Sequence, residues 1–451
     1  MKQFWKEAMR LAAASPTDPV LPSSCPKVFV YTNLSNATDD DYDEASGLCS
    51  EHAARRAFGD PLRWIGGNVS KHFRSTGQWN LGRIIRYRLL CSSRCRARSP
   101  EHADLFFAPV LTKPKNYKEY TSACRATPAA AVWRELYSHE SACRHFFVVS
   151  KGHYVARDCV GWWTNPEPRF RPFARLAYTP TLLWPENASE AGYGGTAGAS
   201  ELARLDSSSN NALLFVNASQ AAARYPQLIS VPYPSSFHWS RAPELSRPPW
   251  AVAAGRSTLM LFVGYATHGD IAVRRKIAHD CEGYRNRSVC VMAQPSMDAI
   301  ALKARAVFCL EPVGDSPFRK STTDSIVLGC IPVLFSSLTD EMAPWSWGAL
   351  KARGRVLVPR DAYLAGALDL SALLQSVPPR FLSTMQRTLA AIAKGFQISL
   401  DDDPGDGLEL LLHGLLRQSR QRCPLRSGVI TQVPARALHQ TGWANGTYER
   451  R

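Results

Sequence analysis

Short apolar runs recur along this chain, and each is stopped by glycine, proline or a polar turn. In the first half they lie at Val28–Tyr31, Leu105–Val110, Phe146–Ser150 and Leu228–Val231. In the second half they lie at Leu259–Val263, Val307–Leu310, Ile331–Phe335 and Val356–Val358. Compact runs rich in Val, Ile and Phe, with little polar alternation, predict strands buried on both faces. Helical patterns separate or follow them, at Ala129–Glu140, Ile271–Cys281, Pro379–Gln397 and Leu408–Arg420. Strands that alternate with helices imply parallel sheets, and two such blocks imply an α/β chain of two Rossmann-like halves facing a cleft. The Pro-rich stretch Trp239–Trp250 reads as the linker between them, and the Gly/Ala/Ser-rich stretch Glu190–Asn211 as a surface loop. The organisation expected is therefore a stem or tether over 1–26, one Rossmann-like domain over 27–245, a second over 250–400, and a C-terminal helix and tail over 401–451.

The run from Phe308 to Phe335 carries the most chemistry. It reads as strand, glycine loop, short helix, strand. The first strand stops at Pro312 and Gly314; Asp315 and Ser316 suit a helix cap and Pro317 a first turn. A helix is predicted over about Arg319–Leu328, ended by Gly329. Such a unit puts its loop and helix N-terminus at the carboxyl edge of a parallel sheet, where open α/β folds bind ligands. Arg319 and Lys320 stand at that helix entrance, so free N–H groups, the helix dipole and two cations meet at one spot suited to a diphosphate. Asp324, one turn further, is placed to accept hydrogen bonds from ribose hydroxyls. Gly314, Asp315, Ser316, Arg319, Lys320, Ser321 and Asp324 are thus the candidate nucleotide-binding residues. A buried βαβ unit with a solvated basic turn is the plainer alternative.

The stretch GDSPFRKSTTDSIVLGCIPV resembles the signature of the exostosin family, glycosyltransferase family 47, and within it the xyloglucan-galactosyltransferase-like branch. Other segments resemble the family in the expected order: Lys27–Tyr31 its opening strand, Ala103–Pro109 its A-D-L-F-F-V-P, His145–Ser150 its H-F-F-V, Ser230–Pro234 its V-P-Y-P turn and Leu261–Gly264 its F-V-G strand. The resemblance covers about residues 27–400. It implies a GT-B architecture, with the first domain on the acceptor side, the second binding a nucleotide-sugar donor, and C-terminal helices crossing back onto the first. In family members an arginine-bearing helix follows the F-V-G strand, which adds Gly264, Arg274 and Arg275 to the donor-site candidates; a solvated helix face is the alternative for the arginines. An inverting transfer needs a base near the acceptor hydroxyl. The segment leaving Phe146–Val149 offers His153 and Asp158, and the resemblance favours Asp158.

Composition narrows the setting. The chain has 451 residues and a formal net charge of +16. Its basic residues are scattered and show no basic–aromatic repeat, which favours diphosphates, acidic glycans or a membrane surface over nucleic acid. N-x-S/T sequons stand at Asn33, Asn36, Asn68, Asn187, Asn217, Asn286 and Asn445, against about two expected by chance. With 12 cysteines, they point to an oxidising lumen. The spacings of Cys91 with Cys95 and of Cys281 with Cys290 allow local disulfides, the pairing being left open. Cys309 and Cys330 read as small buried hydrophobes. Met1–Val20 is too charged for a signal peptide or a span. A truncated sequence lacking its N-terminal anchor fits a Golgi-lumenal type II enzyme; a cytosolic protein with idle sequons is the alternative.

Asp39–Asp41 and Asp401–Asp403 look like metal-binding D-x-D motifs but follow no apolar strand, so they read as solvated loop acids and no metal is expected. Trp162 and Trp163 could stack on an acceptor sugar, with core packing as the default for these and for Trp184, Trp239, Trp345 and Trp347. The sequence thus predicts an inverting transfer from a UDP-sugar to a hydroxyl of a glycan. A GDP-fucose-type transferase and a catalytically silent glycan-binding module are the alternatives.

Overall fold

The computed structural model describes residues 1–14, 24–31, 49–62, 72–91, 93–109, 142–149, 173–178, 228–239 and 255–422, the last without residues 268, 285, 287, 297, 315 and 316. Two five-stranded parallel sheets organise it. The first contains β1 (Val28–Val30), β2 (Leu105–Phe107), β3 (His145–Val149), β4 (Ala174–Ala177) and β5 (Leu228–Ser230), in that spatial order. The second contains β6 (Thr258–Val263), β7 (Cys290–Ala293), β8 (Ala306–Glu311), β9 (Ile331–Leu334) and β10 (Val356–Leu357), in the order β10-β9-β8-β6-β7. The α/β class and its two parallel halves are as the strand–helix alternation predicts. The pattern overlooked β4 and β7. In β4 the buried Arg175 interrupts the apolar run, and β7 is an edge strand with Met292 exposed. The expected helix Ala129–Glu140 lies outside the described residues, as does the Glu190–Asn211 loop.

One continuous apolar core runs through both halves, from Phe146, Val148 and Leu176 to Phe262, Phe308, Ile326 and Val333. Burial on this scale is the main favourable term in holding such layers together. The last helix, Gly407–Arg422, ties itself to the first half: Arg94 bonds Glu409 at 2.5 Å, and the buried Arg88 lies 3.6 Å from Asp406. Arg88 also donates to the carbonyls of Ser399 (3.1 Å) and Asp401 and lies 3.4 Å from Asp402.

Three expectations need correction. Of Asp401–Asp403, Asp401 is exposed as expected, but Asp402 accepts from the Arg94 N–H at 2.7 Å, and the buried Asp403 pairs with Lys394 at 2.9 Å. Asp402 ties the second half to the first. The 1–26 segment is not only a tether, because Lys2–Ala13 forms a helix docked on the second half. Its Trp5 is buried, donates to the Leu373 carbonyl at 3.1 Å and packs edge-on against Phe381, while Arg353 holds the Ala12 carbonyl. Tryptophan at a position facing the protein makes the helix amphipathic enough to bind. Finally, Cys309 and Cys330 are joined as a disulfide rather than free. Cys281 pairs with Cys290, whereas Cys91 and Cys95 pair with Cys49 and Cys25, not with each other. Among the described residues no helix is long and apolar enough to cross a membrane.

Candidate active site

The second sheet is doubly wound. From β6 the chain moves outward to β7, then returns to the other side of β6 to lay down β8, β9 and β10. The reversal lies between β6 and β8, and loops leaving such a pair diverge to form a ligand crevice at the carboxyl edge. The loop after β6 ends at Asp270, which caps the Ile271–Glu282 helix by accepting from Val273 N–H and is gripped by Arg360 at 2.7 Å. The loop after β8 ends at Arg319, the N-cap position of the Lys320–Val327 helix.

These two loops touch through backbone. Gly269 has φ +70°, and a Cβ there would come within 2.5 Å of Gly314 Cα and the Val313 carbonyl. Only glycine meets both demands without strain. Arg274 locks the same junction. It is buried and donates to the carbonyls of Tyr265 (2.8 Å), Val313 (2.9 Å) and Pro312 (3.2 Å) while lying over the Phe262 ring. The guanidinium expected at a diphosphate is therefore engaged with backbone carbonyls and fixes the loops. Gly264, at the end of β6, sits beneath it, since a Cβ there would meet Arg274 Nη1 at 2.9 Å. Arg275 is exposed on the outer side of the helix and is not brought into the cluster.

Arg319 is differently placed. Its side chain crosses Gly314, whose Cβ would lie 2.5 Å from Arg319 Nε. Its Nη1 is buried and has no hydrogen-bond partner among the described residues. A buried guanidinium N–H without a partner is costly, and an anion satisfies it best. Arg319 provides no side-chain cap to the helix it begins. Lys320 donates to Asp324 Oδ2 at 2.9 Å and to Ser236 Oγ. Burial pushes its ammonium below the ordinary lysine range, against the opposing pull of Asp324. Asp324 Oδ1 accepts from Ser235 Oγ (3.0 Å) and the Ser236 N–H (2.7 Å), so this helix meets the Ser230–His238 turn of the first half. Asp315, Ser316, His153 and Asp158 lie outside the described residues.

Sequence reasoning missed Glu311 and Lys303. Glu311 ends β8 beneath the helix entrance and pairs with Lys303 at 2.9 Å, both side chains being almost fully buried. Glu311 also accepts from Ser321 Oγ (3.0 Å) and Ser325 Oγ (2.6 Å). Burial alone would raise the Glu311 carboxyl, but the Lys303 charge and the hydrogen bonds from Lys303 and Ser325 hold it below the usual carboxylate range. Ser321 thus faces this carboxylate. A charged residue closing an apolar strand of a βαβ unit was the available signal. Among the described residues no three His, Cys, Asp or Glu side chains gather as a metal cage.

Residues 194–343 match the model of the exostosin GT47 domain, and that segment holds the whole β8–β9 unit. A probable xyloglucan galactosyltransferase of Arabidopsis thaliana is 31% identical over 174 residues, 35% of this chain and 40% of that protein. A probable glucuronosyltransferase of Oryza sativa subsp. japonica is 24% identical over 396 residues, 84% of this chain and 83% of that protein. The chain spans about two fifths of the length of the first two relatives it matches, 40% and 42%. The solved structure of AviGT4, a glycosyltransferase involved in avilamycin A biosynthesis, aligns at 11% identity and a TM-score of 0.32 over 88% of this chain and 98% of that one. The signature run Gly314–Val333, at the switch point of a doubly wound sheet, thus lies in a segment that matches the exostosin GT47 domain, and the chain is similar to xyloglucan-galactosyltransferase-like proteins.

Proposed function

We propose that this protein is an inverting glycosyltransferase that moves a sugar, galactose by branch similarity, from a UDP-sugar to a hydroxyl of a glycan in the Golgi lumen. The observation that carries the reading is Arg319, a guanidinium with a buried, unpartnered Nη1, lying across Gly314 at a helix N-terminus on the switch-point edge. A diphosphate seated there accepts from Arg319 and from the first N–H groups of the Lys320–Val327 helix, and the helix dipole favours its charge. In the transfer the acceptor oxygen bonds to the anomeric carbon as the bond from that carbon to the diphosphate oxygen breaks. The acceptor proton passes to a first-half base, for which Asp158 and His153 are the candidates. Charge grows on the leaving diphosphate, so cations already in place stabilise the transition state more than the ground state. Asp324 would exchange its bonds to Ser235 and Ser236 for ribose hydroxyls, coupling donor binding to the contact between the halves. The exposed Asn286, in the turn closed by Cys281–Cys290, supports lumenal glycosylation.

Thermal-shift titration with UDP and with GDP tests the reading. Stabilisation by UDP is expected. Stabilisation by GDP alone would replace it with a GDP-fucose-type transferase. Stabilisation by neither, with retention on a glycan array, would leave a glycan-binding module. A screen of UDP-sugars with mass-spectrometric product detection then identifies the sugar moved.

A further inference from the structure

Glu311 and Lys303 form an ion pair that the transfer chemistry does not itself use. Both are buried, and the pair lies under the first turn of the Lys320–Val327 helix. Lys303 Nζ reaches four acceptors: Glu311 Oε1 at 2.9 Å, Ser321 Oγ at 2.9 Å, the Ser321 carbonyl at 3.1 Å and Ser325 Oγ at 2.6 Å. Glu311 Oε1 collects Ser321 Oγ and Ser325 Oγ, and its Oε2 takes a longer contact from Thr322 Oγ1 at 3.4 Å. Ion pairs this deep contribute little net stability over an apolar pair of the same volume, because both charges must be desolvated. Their distinctive contribution is direction.

The helix geometry shows what is being directed. Ser321 and Ser325 are four residues apart and share one face, which the pair fixes toward the end of β8. Lys320 and Asp324 form the neighbouring row, rotated by about 100°, and this row meets Ser235 and Ser236 of the first half. Turning the helix to release Ser321 and Ser325 would also swing Lys320, Asp324 and the Arg319 junction. No side chain of Arg319 caps this helix, so its entrance has no local brace of its own.

We infer that the buried Glu311–Lys303 pair is a positioning device: by holding Ser321 and Ser325 it sets the rotation of the donor-site helix, and with it the aim of Arg319, Lys320 and Asp324 at the nucleotide diphosphate. This rests on the donor-site reading above. Neither residue touches the ligand.

The test is UDP binding by calorimetry on the full chain, with thermal unfolding in parallel. Lys303→Met/Glu311→Met replaces the pair by apolar side chains and removes the hydroxyl acceptor. It is expected to keep the fold and to weaken UDP binding about tenfold. Lys303→Met/Glu311→Gln is equally uncharged but keeps an amide oxygen for Ser321 and Ser325, and should return binding to within about threefold of the parent. If the double-methionine chain does not fold, Ser325→Ala carries the same expectation of weaker binding. Parent-like UDP affinity in both double variants would overturn the inference. So would equal loss in both, which would assign the effect to charge rather than orientation. A parent chain that binds no UDP would instead bring down the donor-site reading, and the inference with it.

Discussion

In the first sheet the described strands follow chain order from β1 to β5, whereas in the second the order reverses between β6 and β8. The residues that follow the strands differ accordingly. Behind β1, β2, β4 and β5 stand Tyr31, Ala108, Tyr178 and Val231, all buried and mostly apolar. Behind β6 and β8, by contrast, come Gly264 and Pro312, then the junction held by Arg274 and crossed by Arg319. A reversal ordinarily separates neighbouring loops and leaves room for a ligand; here the two loops still touch at Gly269 and Gly314, and Arg319 lies across that junction. Under the proposed reading the two halves divide the labour: the reversed sheet would recognise charge, and the ordered one would supply a wall. The Ser230–His238 turn is where the wall reaches the site, through Ser235 and Ser236 on Asp324.

The contrast can be broken hardest at the contact remote from the site. Arg88→Met leaves the buried Asp406 without its cation and Asp402 with Arg94 alone. Burial already raises the Asp406 carboxyl, against Arg88 and its backbone hydrogen bonds. Removing one partner of a buried pair costs about 3–5 kcal/mol. Urea unfolding should show that loss, with UDP affinity per folded molecule little changed. A variant that keeps parent stability would show that the contact between the halves does not depend on Arg88.

A smaller effect is expected within the reversed edge. Arg319→Ala removes a charged hydrogen bond of about 1.5–3 kcal/mol, so UDP affinity should fall at least about tenfold with the thermal midpoint nearly unchanged. Arg275→Ala, one turn of another helix away and exposed, should bind as the parent does. Equal losses in the two would mean that general positive charge, not the Arg319–Gly314 geometry, attracts the ligand.

The smallest effect concerns acid. His238 is buried, donates from Nδ1 to the Ile398 carbonyl at 2.7 Å, and lies 2.8 Å from Thr76. Burial lowers its pKa to about 3. Because the folded chain resists the proton that the unfolded chain accepts near pH 6.5, its stability is full above that pH. It is lost as pH falls from there toward 3. From pH 7.5 to 5.5 this histidine should cost about 1 kcal/mol. His238→Gln should flatten that part of the urea midpoint's pH dependence; an unchanged slope would rule the histidine out.

Much of the reversed half was legible because its strands are continuous apolar runs punctuated by Pro312, Gly314 and Gly329, and because Arg319 and Lys320 stand where a helix must start. What the pattern could not convey was partnership. Arg274 and Arg275 look alike in sequence, yet one faces three carbonyls and the other solvent, a distinction set by which loop lies across the helix. Lys303 resembles a surface charge at a helix end, and Glu311 a strand terminator, until the Ala299–Arg305 helix folds back on the β8 strand that follows it and brings them together. Asp402 looks solvated because nothing local reveals that Arg88 and Arg94, about three hundred residues earlier, come to meet it.

The four described disulfides have a consequence for how the molecule can be taken apart. Cys25–Cys95 and Cys49–Cys91 lie within the first half, Cys281–Cys290 and Cys309–Cys330 within the second. Cys309–Cys330 closes a covalent ring around Glu311, Arg319, Lys320 and Asp324, so a protease cut inside that ring would nick the proposed donor site without releasing it. None of the four staples one half to the other. These four harden each sheet separately, and the contacts at Asp324, Arg88 and the last helix that join the halves are noncovalent.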